Sequence, residues 1–171
     1  MPENALGKVF LDFSALKLLE LGNRLDACLD RLTEEQIWAR GKENENAVGN
    51  LVLHLCGNVR QWMISSIGGE PDRRVRAREF SARGGSAKAE LEAQLRSTLD
   101  EALELLGRLP VERLQERLTI QGYNVSVLEA IYHVVEHFSM HTGQIIFATK
   151  LLTGAELGFF RHLDAEAATK Q

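Results

Sequence analysis

The sequence predicts an all-α fold, a four-helix bundle in a single domain over residues 1–171, with short extra helical turns and a docked C-terminal tail. Apolar residues recur at three- and four-residue steps along four long segments. Two of the three prolines, Pro71 and Pro110, fall where this periodicity breaks. Because each helix carries one apolar stripe, packing four helices together is the economical way to bury all four stripes.

The first helix is predicted over residues 5–31, because apolar side chains follow one another there at helical spacing. Thr33 and Gln36 have the spacing of a capping box, which predicts a short extra turn of helix after it. A polar loop follows at residues 41–45. The apolar stripe assigned to the first helix consists of Phe10, Phe13, Leu16, Leu21, Leu25, Cys28 and Leu32.

The second helix is predicted to start near Asn46, a residue type favoured at helix N-caps. Gly68 and Gly69 end it, and an arginine-rich connection over residues 70–85 leads to the next helix. The apolar face of the second helix consists of Val48, Leu51, Val52, Leu55, Val59, Trp62 and Met63.

The third helix is predicted to begin after Ser86 as its N-cap and to stop at Pro110. Residues 110–125 are expected to be irregular, since the extended stretch at 118–123 is too short to imply a sheet. The fourth helix spans residues 126–153, with Gly154 as its C-cap. Phe159, Phe160 and Leu163 in the tail are expected to dock on the helices, because an exposed pair of Phe side chains is unusual.

Composition excludes several classes of protein. Hydrophobic residues make up 44% and charged residues 26% of the chain, which favours a packed core over disorder. A net charge of −4 argues against a nucleic-acid partner. Cys28 and Cys56 form no CxxC pair, and both are interpreted as small core residues. The N-terminus lacks the pattern of a signal peptide, and no apolar run approaches the ~20 residues that span a bilayer. We therefore expect a cytoplasmic protein without a membrane partner.

The spacing of the histidines is the feature of the sequence that indicates a metal site. His133, His137 and His141 recur every four residues on the fourth helix, so their side chains lie on one face. By the ~100° rotation per residue, His137 lies about 60° from Val134, at the margin of the apolar face. His54 has the same marginal position on the second helix, about 60° from Leu51. Facing helices of bundles build metal sites from such side chains, so His54 is the candidate third ligand.

A site with three histidine ligands leaves one coordination position open, as in catalytic rather than structural zinc sites. Imidazole ligands suit one divalent ion of Zn or Ni, and Fe, Mn and Cu are alternatives. The spacing alone leaves another interpretation open, since rows of helix-surface histidines also occur without metal.

Polar neighbours of the histidines are candidates for supporting roles. Gln144, one turn after His141, is suited to orient a ligand or to hold a bound water, and helix packing is its alternative role. Asn50 and Asn58 lie one turn before and after His54 and are candidates for contacts with His54 or with substrate, or for simple helix–helix hydrogen bonds. Arginines between Arg73 and Arg78 could grip a substrate carboxylate. The favoured interpretation is a solvated loop held by Arg–Glu pairs, with Phe80 in the core.

Two stretches, NAVGNLVLHL at residues 46–55 and HFSMHTGQI at 137–145, resemble the DinB-like (YfiT-like) superfamily. The similarity extends over nearly the whole chain and includes Arg76, Glu79 and Phe80, which resemble one branch of it. The resemblance implies a four-helix bundle with a histidine triad on a divalent metal. It implies His54, His137 and His141 as the metal ligands. His133 lies one helical turn before this ligand pair on the fourth helix, so the resemblance implies a supporting or surface role for it.

The resemblance also implies a range of functions. Some relatives use a low-molecular-weight thiol at the metal, as transferases or as the mycothiol-dependent maleylpyruvate isomerase, and others are described as metal-dependent hydrolases. We expect a metal-dependent enzyme that acts on a small molecule through a metal-bound thiol or water, as an S-transferase, isomerase or hydrolase. The alternatives are a non-catalytic metal-binding module and a purely structural helical bundle. The resemblance and the apolar tail favour a homodimer.

Overall fold

The computed structural model describes residues 3–161, so Leu163 of the predicted tail lies outside the described part of the chain. The described chain is mainly helical with a small two-stranded sheet. After α3 the helix continues as a π-helical segment, Arg60–Ser65, and a short 3-10 helix spans Val111–Gln115. The elements are α1 Glu3–Leu29, α2 Glu34–Ile37, α3 Val48–Val59, α4 Arg76–Ser81, α5 Lys88–Arg108, β1 Arg117–Ile120, β2 Tyr123–Ser126 and α6 Val127–Thr153.

The long helices share one apolar interior. Helix α1 packs against α5 and α6, and α3 packs against the same two helices from the other side. Leu25, Leu55 and Ile131 are fully enclosed between them. The short helix α4 lies on α3. This arrangement sets α3 between α4 and α6, which is the part of the fold that matters for the candidate site.

The N-termini of α3 and α5 begin one residue later than predicted. Ala47, not Asn46, is the cap of α3, and its backbone N–H donates to Oδ1 of Asn50 at 3.0 Å. Ala87, not Ser86, caps α5, and its N–H donates to a carboxylate oxygen of Glu90. In both cases a side chain in the first turn binds the cap backbone, so an N-cap side chain is not needed. The predicted capping box of Thr33 and Gln36 is confirmed at the start of α2.

The prediction that residues 110–125 form no sheet is wrong. Strands β1 and β2 pair antiparallel, and Ile120 lies opposite Tyr123 at the end of the hairpin. The connecting residues Gln121 and Gly122 both have positive φ, 53° and 84°. Such a two-residue turn matches the right-handed twist of short hairpin strands, so a Gln-Gly pair is sufficient to close a sheet of only four residues per strand.

The apolar face assigned to α1 is wrong in its first half. Phe13 and Leu16 are 56% and 48% exposed, whereas Leu11 and Leu18 are buried instead. Apolar side chains surround much of α1, so periodicity did not identify the face that meets α5 and α6. A second apolar stripe consequently faces outward on this helix, formed by Leu6, Val9, Phe13 and Leu16.

The C-terminal tail lies beside α1. The guanidinium of Arg24 sits over the rings of Phe159 and Phe160, at 5.7 and 5.3 Å from their centroids. Phe159 packs against the core, whereas Phe160 remains largely exposed. The predicted docking therefore holds for Phe159. Across the described residues, every helix is too short or too polar to cross a membrane.

Candidate metal centre

The structure brings His54 of α3 together with His137 and His141 of α6. One ring nitrogen from each lies within 4.8 Å of the corresponding nitrogens of the other two. The Nε2 atoms of His54 and His137 are 2.9 Å apart. Two nitrogens bound tetrahedrally to one ion at ~2.0–2.1 Å would be roughly 3.3 Å apart. The three imidazoles are therefore close enough together that they could hold a single divalent metal ion.

Glu79 of α4 orients the ring of His54. The Nδ1 atom of His54 lies 2.8 Å from Oε2 of Glu79, which accepts its proton. That hydrogen bond fixes the tautomer in which Nε2 carries the free lone pair, and Nε2 is the atom that faces His137. A carboxylate behind a histidine is a common support for metal ligands, because it orients the ring and raises its basicity.

Arg74 also holds Glu79, and its Nη2 lies 3.2 Å from Nδ1 of His54. Its Nε donates to Oε1 of Glu79 at 2.7 Å and its Nη2 to Oε2 at 2.9 Å, in a two-pronged ion pair. Both side chains are buried, with 4% and 10% exposure. Burial alone would raise the pKa of Glu79, but hydrogen bonds from Arg74 and His54 lower it overall. Glu79 is therefore a carboxylate at neutral pH, as the hydrogen bond from His54 requires.

Gly57 makes room for this ion pair. A Cβ atom at position 57 would overlap the Glu79 carboxylate and lie 3.0 Å from Nε of Arg74. Gly57 stands three residues after His54 on α3, on the side that faces α4. The lack of a side chain at this position lets the Glu79 carboxylate approach the helix backbone beside the histidine.

The two α6 histidines are set up as neutral ligands. Burial, followed by the nearby charges of His141 and His54, lowers the pKa of His137 from 6.5 to about 3. Burial also lowers the pKa of His141. Nδ1 of His141 donates to Oε1 of Gln144 at 2.7 Å, which leaves its Nε2 free. Metal binding requires deprotonated imidazoles, so these ligands need not release a proton at neutral pH.

The remaining polar candidates take different positions. Gln144 lies where the sequence placed it, against His141. The Asn50 side chain makes no hydrogen bond to the His54 ring; its amide donates to the backbone oxygens of Glu79 and Ala82 and so ties α4 to α3. Asn50 therefore makes helix–helix hydrogen bonds, which was the alternative prediction for this residue.

Asn58 and His133 form a separate layer beside the triad. Asn58 Nδ2 lies 3.4 Å from Nε2 of His133, so the polar partner of the Asn58 side chain is His133 rather than the His54 ring. The His133 ring packs on Trp62 in a tilted arrangement with centroids 4.0 Å apart, and it stacks on His137 with centroids 5.4 Å apart. His133 is outside the group of three histidines and packs against one of its members.

The arginine-rich loop contributes more than its sequence indicated. Arg74 makes the Arg–Glu pair that was favoured for this loop, but the partner carboxylate also holds His54. Phe80 does not enter the core; its ring packs on His54 with centroids 4.7 Å apart. Sequence reasoning did not identify Glu79, or Arg74 as its partner, as a support for His54, since neither lies at a helical spacing from a histidine. The only signal for Glu79 was its part in the family resemblance.

Comparisons with known proteins agree with the fold without naming an activity. No curated protein matches the chain. A solved structure described as a conserved protein from Enterococcus faecalis is similar, with a TM-score of 0.72, 16% identity, and coverage of 84% of this chain and 97% of that one. At this identity the likeness concerns the fold alone. The family model for "Protein of unknown function (DUF1572)" matches residues 5–161, and the chain belongs to this family.

Proposed function

We propose that this chain is a DinB-like four-helix-bundle protein that binds one divalent metal ion through His54, His137 and His141. The observation that supports it most directly is the convergence of three ring nitrogens, from two helices, within 4.8 Å. Neutral imidazoles suit Zn, Ni, Fe and Cu alike; we propose Zn or Ni, with Fe, Mn and Cu as alternatives. The orientation of two of these rings by Glu79 and Gln144 supports the same proposal.

The proposed activity is that of a metal-dependent enzyme acting on a small molecule, such as a low-molecular-weight thiol. When bound, the metal would lower the pKa of a thiol or a water in its open position and so supply a nucleophile at neutral pH. The protein's own part is to hold three neutral imidazoles in place and to keep their outer nitrogens hydrogen-bonded. The chain's own thiols are poor candidates, since Cys28 and Cys56 are buried and burial raises the pKa of Cys56 to about 12.

Three imidazoles with an open fourth position favour this activity over a closed structural site. A thiol substrate would give S-transfer or thiol-assisted isomerisation, and water would give hydrolysis. We also propose that the protein is cytoplasmic and forms a homodimer, which the outward apolar stripe of α1 supports.

Metal analysis tests the binding proposal. Protein purified without chelator or affinity tag should carry close to one equivalent of metal, or take it up from added Zn or Ni. His54→Ala and His141→Ala should abolish uptake, whereas His133→Ala should retain it. Failure of the folded wild-type chain to bind any of these ions would eliminate both the enzyme and the metal-binding module and leave a structural bundle.

Spectroscopy of the cobalt-substituted protein tests the thiol proposal. Addition of glutathione, cysteine or another small cellular thiol should produce a sulfur-to-cobalt charge-transfer band if a thiolate enters the open position. A spectrum unchanged across a broad panel of thiols would eliminate the thiol version and leave hydrolysis or non-catalytic metal binding. Turnover assays on the responsive thiol then separate an enzyme from a binding module.

A further inference from the structure

A cavity lies beside the histidine triad rather than at it. It has a volume of about 480 Å³ and lies between α3, the loop at residues 70–75, α4 and α5. Leu53 and Gly57 line it from α3, Gln94 from α5, and Arg74 and Glu79 from the loop and α4. The three histidines are not among its lining residues. Pockets for small molecules typically measure about 300–1,000 Å³, so this cavity has the size of a ligand site.

The charges around the cavity leave two arginines available. Among the acidic lining residues, Glu79 is held by Arg74, and Asp72 accepts hydrogen bonds from Gln61 and from the backbone of Arg74. Arg60 is paired with Glu101. Arg73 and Arg78 make no ion pair with any residue in the range 3–161.

The rest of the lining combines apolar and polar surface. Leu53, Pro71 and Val75 contribute apolar side chains to the wall. Glu70 is the remaining acidic residue, and it also makes no ion pair with the residues that the structure describes. Asp72 keeps its negative charge, because both of its hydrogen-bond donors are uncharged. Two carboxylates therefore balance the two guanidinium groups in net charge, but both guanidinium groups remain without an ion pair beside an apolar wall.

We propose that this cavity is a second binding site, for a small organic carboxylate. Arg73 and Arg78 contact the carboxylate, because the planar guanidinium donates two parallel hydrogen bonds to it. The apolar body of the ligand packs against Leu53 and Val75. The site is distinct from the histidine triad, which lies on the other side of Glu79.

Two residues of the cavity wall connect the cavity to the histidine triad. Arg74 and Glu79 line the cavity, and Glu79 binds Nδ1 of His54. A ligand that shifts either side chain changes how firmly the His54 ring is held. By thermodynamic linkage, such a ligand would alter metal affinity by the same factor by which metal alters the affinity for the ligand. This last step rests on the proposed metal site, whereas the binding site itself does not.

Benzoate is a suitable probe because it joins one carboxylate to an apolar ring. In amide NMR spectra of the metal-free full chain, benzoate should shift residues 53, 57, 73–75 and 78 saturably, with a dissociation constant of about 1 mM or tighter. Neutral benzamide should bind at least tenfold more weakly. The double variant Arg73→Gln/Arg78→Gln should weaken benzoate binding at least tenfold, and Arg96→Gln, an exposed arginine of α5 that does not line the cavity, should leave it unchanged.

Several outcomes would overturn the proposal. The first is the absence of a saturable shift up to about 20 mM benzoate, which is well above the expected dissociation constant. The others are shifts centred on different residues, equal affinity for benzamide, and unchanged benzoate affinity in the double variant. Inorganic phosphate binding as tightly as benzoate would replace it with a general anion site. Repeating the benzoate titration in the presence of Zn tests the linkage between the two sites. Because the first titration uses metal-free protein, failure of the proposed metal site would not affect the test of the carboxylate site.

Discussion

His54 donates its Nδ1 proton to Oε2 of Glu79 over 2.8 Å, and this hydrogen bond joins a proposed metal ligand on α3 to the short helix α4. Glu79 is in turn fixed by two hydrogen bonds from Arg74. A chain of three side chains therefore runs from an arginine-rich loop to the histidine triad. Its parts can be removed one at a time.

Glu79→Gln should weaken metal binding by about 10- to 100-fold, the usual effect of losing a carboxylate behind a ligating histidine. The amide can still accept a hydrogen bond from His54, but it has no negative charge to support the imidazole. Competition titration with a chromophoric chelator measures the affinity. Glu101→Gln is the control, because Glu101 pairs with Arg60 on the surface. Equal affinities of the two variants would show that Glu79 does not support the site.

Arg74→Met should destabilise the fold by about 3 kcal/mol, because it leaves the buried Glu79 carboxylate without its partner. Adding Glu79→Met should recover much of that loss, since no buried charge then remains unpaired. Urea denaturation of the metal-free single and double variants gives the coupling between the two positions. Additive effects of the two substitutions would contradict the energetic pairing seen in the geometry.

The convergence of the three histidines could be predicted from the sequence, whereas the carboxylate of Glu79 that orients His54 could not. Four-residue spacing on a helix fixes which face His137 and His141 share, and the helical rotation places His54 at a similar margin on α3. Glu79 comes from a connection whose path depends on tertiary contacts, such as the hydrogen bonds from Asn50 to the backbone of Glu79 and Ala82. No local pattern in the sequence encodes those contacts.

In the fold as well, features set by the local sequence could be predicted, whereas features set by tertiary contacts could not. Glycines and prolines located the C-terminal ends of the other three long helices but not that of α1, because their backbone preferences act locally. Which side of α1 is buried depends on its neighbours, so Leu11 and Leu18 replaced Phe13 and Leu16 in the core. The β1–β2 hairpin was missed because each strand has only four residues and the first residue of its turn, Gln121, is not one of the Asn, Asp or Gly residues usual before Gly122.

Gly57→Ala tests the close approach of Glu79 to α3. The new methyl group would overlap the Glu79 carboxylate, so we expect a loss of about 1–3 kcal/mol in unfolding free energy, together with weaker metal binding. Gly107→Ala on α5 is the matched control, since a Cβ there meets no atom within 4 Å. The control should be neutral or stabilising by up to about 1 kcal/mol, the ordinary effect of Gly→Ala in a helix. Similar responses of the two variants would mean that the Glu79 carboxylate moves aside without cost.

The outward apolar stripe of α1 leads to a prediction about assembly. Phe13→Glu should convert a homodimer to a monomer, because a charge at the centre of an apolar contact would be buried without a partner. Sedimentation velocity over a range of concentrations measures the association. Tyr123→Glu is the control, since this side chain is similarly exposed but belongs to β2 of the hairpin rather than to the apolar stripe of α1. A wild-type chain that remains monomeric at all concentrations would contradict the dimer.

Acid should destabilise the metal-free protein over a pH range set by its histidines. The folded-state pKa of His137 lies at about 3, below its ordinary value of 6.5, so the unfolded chain binds the proton more tightly. The stabilising contribution is complete above pH 6.5 and is lost progressively as the pH falls toward 3. After allowance for partial solvent exposure, we expect a loss of about 1–2 kcal/mol between pH 7 and pH 5 from this residue.

Urea denaturation at pH 7, 6 and 5 measures this loss. That range lies above the titration of ordinary carboxyl groups, so the lowered pKa of Glu79 contributes little there. His137→Gln should show a shallower decline over the same range, because it removes the group with the largest change in proton affinity while His133 and His141 continue to titrate. A decline of equal steepness in the variant would mean that His137 is not held neutral by the fold, and that its place beside His54 is more open to water than the geometry implies.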